Sequence, residues 1–265
     1  MKHPRHLTIN GGTITINSND DAINANEDGV SVITINGGVL TCNAGGGKEG
    51  DGIDSNGWIV INDGVVVSAA NATSQDSGVD SDNGIYINGG TVLASGNMYD
   101  EVSEDSEQAF VALSFADSVE AGQMFALKNA DGEIVTVFSA ANDFQTLVYS
   151  SSELTDGDYT LYEISSAEGV AVSGLYTEVT SVSDEVQLQG SKGAGGFGRM
   201  GGGMGKPNGE RPEMPEGEAP DGQNGPDGQK GERPDMPEDS SEQASSVFTI
   251  SGISNAFSRI SEFND

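Results

Sequence analysis

The chain has 265 residues and a formal net charge of −31. Between Leu7 and Gly190 there are 29 Asp and Glu against only Lys48 and Lys128. This excludes nucleic acid as a partner and disfavours anionic membrane surfaces, since phosphate binding needs clustered Lys and Arg. The single cysteine, Cys42, excludes an intrachain disulfide, and no apolar run is long enough to span a bilayer. The acid surplus by itself fits cation binding, solubility or a saline habitat equally.

In chain order, Met1–His6 run straight into the first strand with no secretory leader ahead of it. A solenoid opening at Leu7 exposes a strand edge and the end of a core. This start predicts an N-terminally shortened piece of a longer extracellular or cell-surface protein.

From there one tetrad recurs at a fixed interval: Ile9-Asn10-Gly11-Gly12, Ile35-Asn36-Gly37-Gly38, Ile61-Asn62-Asp63-Gly64 and Ile87-Asn88-Gly89-Gly90, each starting 26 residues after the last. A fixed period of this size marks a repeat architecture. A second element recurs at Asp21–Asn26, Asp51–Asn56 and Ser77–Asp82, its first copy displaced by four residues, as a loop of adjustable length allows.

Around the turns apolar and polar residues alternate with the period of a half-buried strand. Aligned copies give apolar columns: Leu7, Ile33, Ile59, Ile85; Ile9, Ile35, Ile61, Ile87; Ile14, Leu40, Val66, Val92; Ile16, Cys42, Ser68, Ala94; and Ile23, Ile53, Val79. Three short strands per period with Gly-rich corners predict an all-β, single-stranded parallel β-helix of about four coils over residues 7–96, with an inward ladder of the four turn asparagines. Cys42, in an inward column, reads as a small core residue rather than a nucleophile.

Residues 97–108 read as an acidic connection without periodicity. Longer strands follow at 109–115, 123–128, 133–138, 144–149 and 158–164, with Asn129-Ala130-Asp131-Gly132 as a hairpin turn. They predict an antiparallel cap on the last coil, extended through residues 167–190. The Gly- then Pro-rich stretch 191–245 buries almost nothing and reads as disordered. Residues 247–251 predict a strand returning to the cap. Phe257, Ile260 and Phe263 have the spacing of a short helix.

If Ile53 and Val79 face inward, Asp54, Asn56, Asp80 and Asp82 share the outward parity, with Asn24 and Asn26 in the coil below. Stacked carboxylates about 5 Å apart repel unless a cation lies between them. Oxygen ligands in number at Gly-rich bends suit Ca²⁺, and Asp20, Asp21, Asp51 and Asp76 stand at the neighbouring corner. The alternative is a solvated acidic corner. Trp58 and Tyr86 precede inward isoleucines and so are expected to face out, where an aromatic face beside the amides of Asn24, Asn26 and Asn56 suits a sugar ring. The alternative for Trp58 is partial cover by the loop 43–50. For catalysis on acidic polysaccharides the coils offer only Lys48 as a cationic base, or paired carboxylates for hydrolysis. Acids packed as ladders look more like ligands than a separated acid and base.

The repeated Ile-Asn-Gly-Gly strands, Gly50-Asp51-Gly52-Ile53-Asp54-Ser55-Asn56-Gly57 and Asn88-Gly89-Gly90-Thr91-Val92-Leu93-Ala94-Ser95-Gly96 resemble the clostridial-type carbohydrate-binding β-helix proteins. So do Gly132-Glu133-Ile134-Val135 and Asp158-Tyr159-Thr160-Leu161-Tyr162 near the end of the cap. The likeness spans roughly residues 7 to 165. It implies a pectate-lyase-like fold and an extracellular, non-catalytic, calcium-containing binder of cellulose- or pectin-like polysaccharide. A β-helix lyase or hydrolase, and a structural or adhesive surface protein, are the other readings open at this point.

Overall fold

In the computed structural model, which describes residues 5–27, 31–193 and 244–263, the four tetrads lie directly above one another. Strands β1 (Arg5–Ile9) and β2 (Thr13–Asn17) make the first rung, β4 (Ser31–Asn43) the second and β6 (Trp58–Ala69) the third. The fourth is β8 (Gly84–Ile87) with β9 (Thr91–Gly96). All pair in parallel: Leu7 with Ile33, Ile33 with Ile59, Ile59 with Ile85, and likewise Ile14, Leu40, Val66 and Val92. A separate three-stranded sheet stacks β3 (Ile23–Ala25), β5 (Ile53–Ser55) and β7 (Val79–Ser81), with Ile23, Ile53 and Val79 in register. Four rungs on one side and three on the other close about three turns of a β-solenoid. Among the described residues the fold is all-β, and no helix is long and apolar enough to cross a membrane.

In β4 and β6 the strand runs through the tetrad as one bent element. The bend needs glycine: Gly38 has φ +94°, and a Cβ there would stand 2.6 Å from the Gly12 carbonyl oxygen. At the same corner the asparagines form the expected ladder. Asn36 donates to Asn10 Oδ1 at 2.8 Å, Asn62 to Asn36 at 2.8 Å and Asn88 to Asn62 at 2.7 Å. It lies at the bend surface rather than inside the core, half-buried from Asn36 upward and exposed at Asn10. At the top, Asn88 Oδ1 is buried with no partner among the described residues.

The inward columns make one core. Ile33, Ile53, Ile59 and Ile85 are fully buried, whereas Leu7 and Ile9, on the open first rung, are half-buried. Cys42 sits in this core, its thiol pushed up to about 12 by burial. The far end is closed. Residues 97–108 are not a free connection: Val102 bridges Ile85 in parallel, Ser103 N donates to Ile85 O at 2.8 Å, and Gln108 N to Ile87 O at 3.1 Å. The segment thus lies along β8 as a partial further rung.

Strand β13 (Phe144–Ser150) adds antiparallel to β9, and β10 (Phe110–Val119) adds antiparallel to β13. Phe110, Ala112 and Val148 complete the solenoid core from above. The cap therefore extends the coil sheet itself. It continues through β11 (Met124–Asn129), β12 (Ile134–Phe138), β14 (Gly157–Ile164), β15 (Ser166–Val172), β16 (Leu175–Ser183) and β17 (Val186–Lys192). The 129–132 turn closes the β11–β12 hairpin, with Gly132 at φ +80°. A second core packs Phe115, Phe125, Phe138 and Phe144 against Val67 and Leu93, which point out of the coils. The cap thus folds back over the outer face of β6 and β9.

Residues 194–243, most of the stretch expected to be disordered, lie outside the described residues. The returning strand is β18 (Phe248–Ile250), antiparallel to β14. The expected C-terminal helix is instead β19 (Ser254–Glu262), between β10 and β17. A bulge explains the misleading spacing. Leu113 pairs with Phe257 but Phe115 with Ile260, and Arg259 sits at φ +55°. One extra residue therefore puts Phe257 and Ile260 on the same buried face at helical spacing. Phe263 follows the strand and is 39% exposed.

Each ladder amide in mid-stack makes two side-chain bonds, each worth about 1 kcal/mol net. Asn62→Ala is expected to destabilise the protein by about 2 kcal/mol, and Asn10→Ala by about 1 kcal/mol or less. Denaturant unfolding of the two variants beside the wild type checks the ordering.

Candidate functional site

The small sheet positions the acidic side chains. With Ile53 and Val79 inward, the next residues form the outward column Asn24, Asp54, Asp80. The preceding bend is tight. A Cβ on Gly52 would lie 2.0 Å from Ser68 Oγ and 2.5 Å from the Gly78 carbonyl oxygen, so only glycine fits between successive coils there.

The corner aspartates tie one coil to another. Asp21 Oδ1 accepts from Asp51 N at 2.8 Å, Asp51 Oδ1 from Ser77 N at 2.6 Å, and Asp76 Oδ2 from Gly50 N at 2.5 Å. Asn24 donates to Asp54 Oδ2 at 3.0 Å and also to Asp21. Asp100, on the connection, accepts from Ser81 N at 2.8 Å and continues the pattern. It was not foreseen, because the connection shows no repeat in its residues. These bonds satisfy backbone amides that a bend would otherwise leave unpaired.

Of the seven aspartates expected to hold a metal, three converge: Asp51, Asp54 and Asp80 each offer an oxygen, all within 4.8 Å of one another. Asp21 and Asp76 adjoin this group through their coil-to-coil bonds, while Asp20 and Asp82 are exposed and outside it. Crowding has an electrostatic consequence. The Asp51 carboxyl is pushed up to about 8, first by burial and then by the charges of Asp80, Asp76 and Asp21, with the Ser77 amide opposing. The donor set is all oxygen, anionic and partly desolvated, which suits a hard divalent cation of the calcium type. Asp51, Asp54 and Asp80 are the residues that would hold it.

The five residues expected to meet a sugar divide. Asn26 is exposed and Asn56 half-buried beside the small sheet. Asn24 is exposed, with its amide engaged by Asp21 and Asp54. Tyr86 does not present its ring to solvent: it is 1% exposed and packs with Val32 and Val60. It does point away from the coil core, in register with Val60. The expected exposed ring is lost because these outward residues form a small apolar cluster of their own. Trp58 is half-buried against the same cluster, with its indole Nε1 buried and unpartnered among the described residues. Lys48 is exposed, and its backbone oxygen accepts from Thr73 Oγ1 at 2.9 Å.

A family model described as "carbohydrate-binding domain-containing protein" matches residues 2–100, the stretch that holds the solenoid rungs β1 to β9. No curated protein and no solved structure matches the chain.

The raised value for Asp51 sets a pH dependence. Its folded-state pKa, about 8, lies above the 3.8 of an ordinary Asp. In metal-free protein its contribution to stability is therefore complete below pH 3.8 and lost as pH rises through about 8. Asp51→Asn keeps an oxygen for the Ser77 amide and removes the charge. In chelator at pH 8 and above it is expected to be more stable than the wild type by at least about 1 kcal/mol, the worth of roughly one pKa unit. The gap should close in acid. Urea unfolding of both proteins across this range measures it.

Proposed function

We propose that the solenoid is a non-catalytic polysaccharide-binding domain, stabilised by calcium and working outside the cell or on its surface. The observation that carries this reading is the match of the coil segment, residues 2–100, to a carbohydrate-binding family. The geometry agrees with it. Stacked coils offer rows of amides and hydroxyls at about 4.8 Å intervals, a spacing on which an extended glycan can be held at several points. Each hydrogen bond is weak alone, so affinity comes from repetition along the stack.

Calcium supplies charge compensation: between Asp51, Asp54 and Asp80 it offsets the repulsion that these residues otherwise bear. The three carboxylates come from β5, β7 and the bend before β5, so holding them together fixes one coil against the next. Asn24, Asn26, Asn56 and the accessible part of Trp58 lie on outward positions of the same coils.

Hydrolysis is favoured by one feature, the Asp51 carboxyl that burial and its acidic neighbours push up to about 8 beside Asp54 and Asp80. An acid of raised pKa close to a second carboxyl group is the pairing glycosidases use. Against it, one Asp51 oxygen is held by the Ser77 amide, and the carboxylates converge on each other instead of flanking a cleft.

Pull-down of the full chain on insoluble and immobilised polysaccharides, with calcium and with chelator, tests the reading. Retention in calcium is expected, without new reducing ends or unsaturated products. Calcium at about a hundredfold its dissociation constant should stabilise the fold by about 2.7 kcal/mol. Failure to bind any polysaccharide contradicts the proposal, and steady release of products establishes the enzyme instead.

A further inference from the structure

Away from the acidic corner, the solenoid and its cap enclose a groove. One wall is the outward face of β2, β4 and β6, carrying Thr15, Asn17, Thr41 and Asn43 below Val67 and Ala69. The opposite wall is the loop 139–142 and the β15–β16 turn at Ser173 and Gly174. It encloses about 360 Å³ and continues, through Asn17 and Asn43, into a second concavity of about 340 Å³ reaching Asn19 and Asn142. Volumes of this size are those of small-molecule sites.

The groove follows from one outward column. Thr15, Thr41, Val67 and Leu93 stand in register on successive rungs. The cap core covers Val67 and Leu93, while Thr41 stays half-buried and Thr15 exposed. The column turns from apolar to hydroxyl where the cap's cover ends, and the groove opens there.

Its walls are tied together. Asn142 Nδ2 donates to Asn43 Oδ1 at 2.9 Å and to the Ala70 carbonyl at 2.7 Å, and Asn43 Oδ1 also accepts from Gly45 N at 2.8 Å. Ser173 Oγ lies 3.1 Å from Thr41 Oγ1, and Ser173 adopts φ +48°, a conformation that costs a non-glycine residue energy. That strained turn sits where the cap meets the coil. Among the described residues, the Asn17 amide, Asn43 Nδ2 and Asn142 Oδ1 make no side-chain hydrogen bond, so both donors and acceptors remain for a ligand.

Among the described residues no charged side chain lines either concavity, although the chain has 42 acidic residues. We infer that this groove binds a neutral glycan chain, resting on the carbohydrate-binding reading above. Exposed Thr15, Asn17 and Ala141 leave the mouth open to a sugar ring, and amides answer pairs of ring hydroxyls as donor and acceptor at once. A uronic-acid polymer finds no Lys or Arg among the described residues of the groove to receive its carboxylates and meets a protein of net charge −31.

Titration calorimetry of the full chain in calcium buffer tests this with cellohexaose, xylohexaose, mannohexaose and an oligogalacturonate of equal length. At least one neutral oligosaccharide is expected to bind about tenfold or more tighter than the oligogalacturonate. The double variant T15V/N17A and the separate variant A141E, which puts a carboxylate at the exposed mouth, should each weaken that binding about tenfold. Far-UV circular dichroism and melting establish that they fold, and either one that folds suffices. Unchanged affinity in a folded groove variant overturns the groove while leaving carbohydrate binding intact. Tighter binding of oligogalacturonate overturns the neutral class. No binding of any glycan overturns both this inference and the reading beneath it.

Discussion

In-register parallel pairing at an interval of 26 residues is the constraint from which the other features descend. When a strand pairs in parallel with its own repeat, like residues must stack on like. For isoleucine this is favourable: the inward columns bury completely from the second rung on, and each such side chain contributes about 1.5–3 kcal/mol. For asparagine it is favourable too, because an amide donates upward and accepts from below. For aspartate the same rule is adverse, and Asp54 falls in register with Asp80. The protein lives with that adversity by tying the neighbouring carboxylates to backbone amides of other coils, and a bound cation would relieve it further.

The same stacking gives two surfaces of opposite character. On the small sheet, charged residues gather at a Gly-rich bend too tight for side chains, and the oxygens meet. On the large sheet the outward columns carry Thr and Asn low in the stack and Val and Leu high in it. The cap folds over the apolar part and stops where the hydroxyls begin. Acid corner and neutral groove are therefore separate places, suited to a metal and to an uncharged ligand respectively. On the proposed reading, carbohydrate binding needs no contribution from the net charge, which would act instead to exclude polyanions.

The solenoid was legible because its evidence is arithmetic: the columns through Ile59, Val66 and Val79 follow from counting. The β11–β12 hairpin was legible from Asn129–Gly132, since only a few residues suit such a turn. What failed did so where packing overrides local pattern. Phe257 and Ile260 mimic a helix because a bulge adds one residue between two inward side chains. Tyr86 has outward parity, but parity says which side of the strand a ring takes, not whether something else covers it. Asp100 and Val102 extend the stack without repeating its residues, so no period could reveal them. Asn142 reaches Asn43 across 99 positions of chain, a meeting set by how the cap folds back.

Excision of one whole period tests the stacking itself. Removing residues 59–84 joins Trp58 to Ile85, which takes the place of Ile59 on β4 and still carries the cap on β9. The shortened chain should keep its β-sheet circular dichroism spectrum and melt in one cooperative transition at a lower temperature. Removing only the first half of that segment should abolish the transition, because every inward residue beyond the cut then meets the wrong neighbour. If the half-period deletion melts as cooperatively as the whole-period one, the residues are not held in register and this account of the protein is wrong.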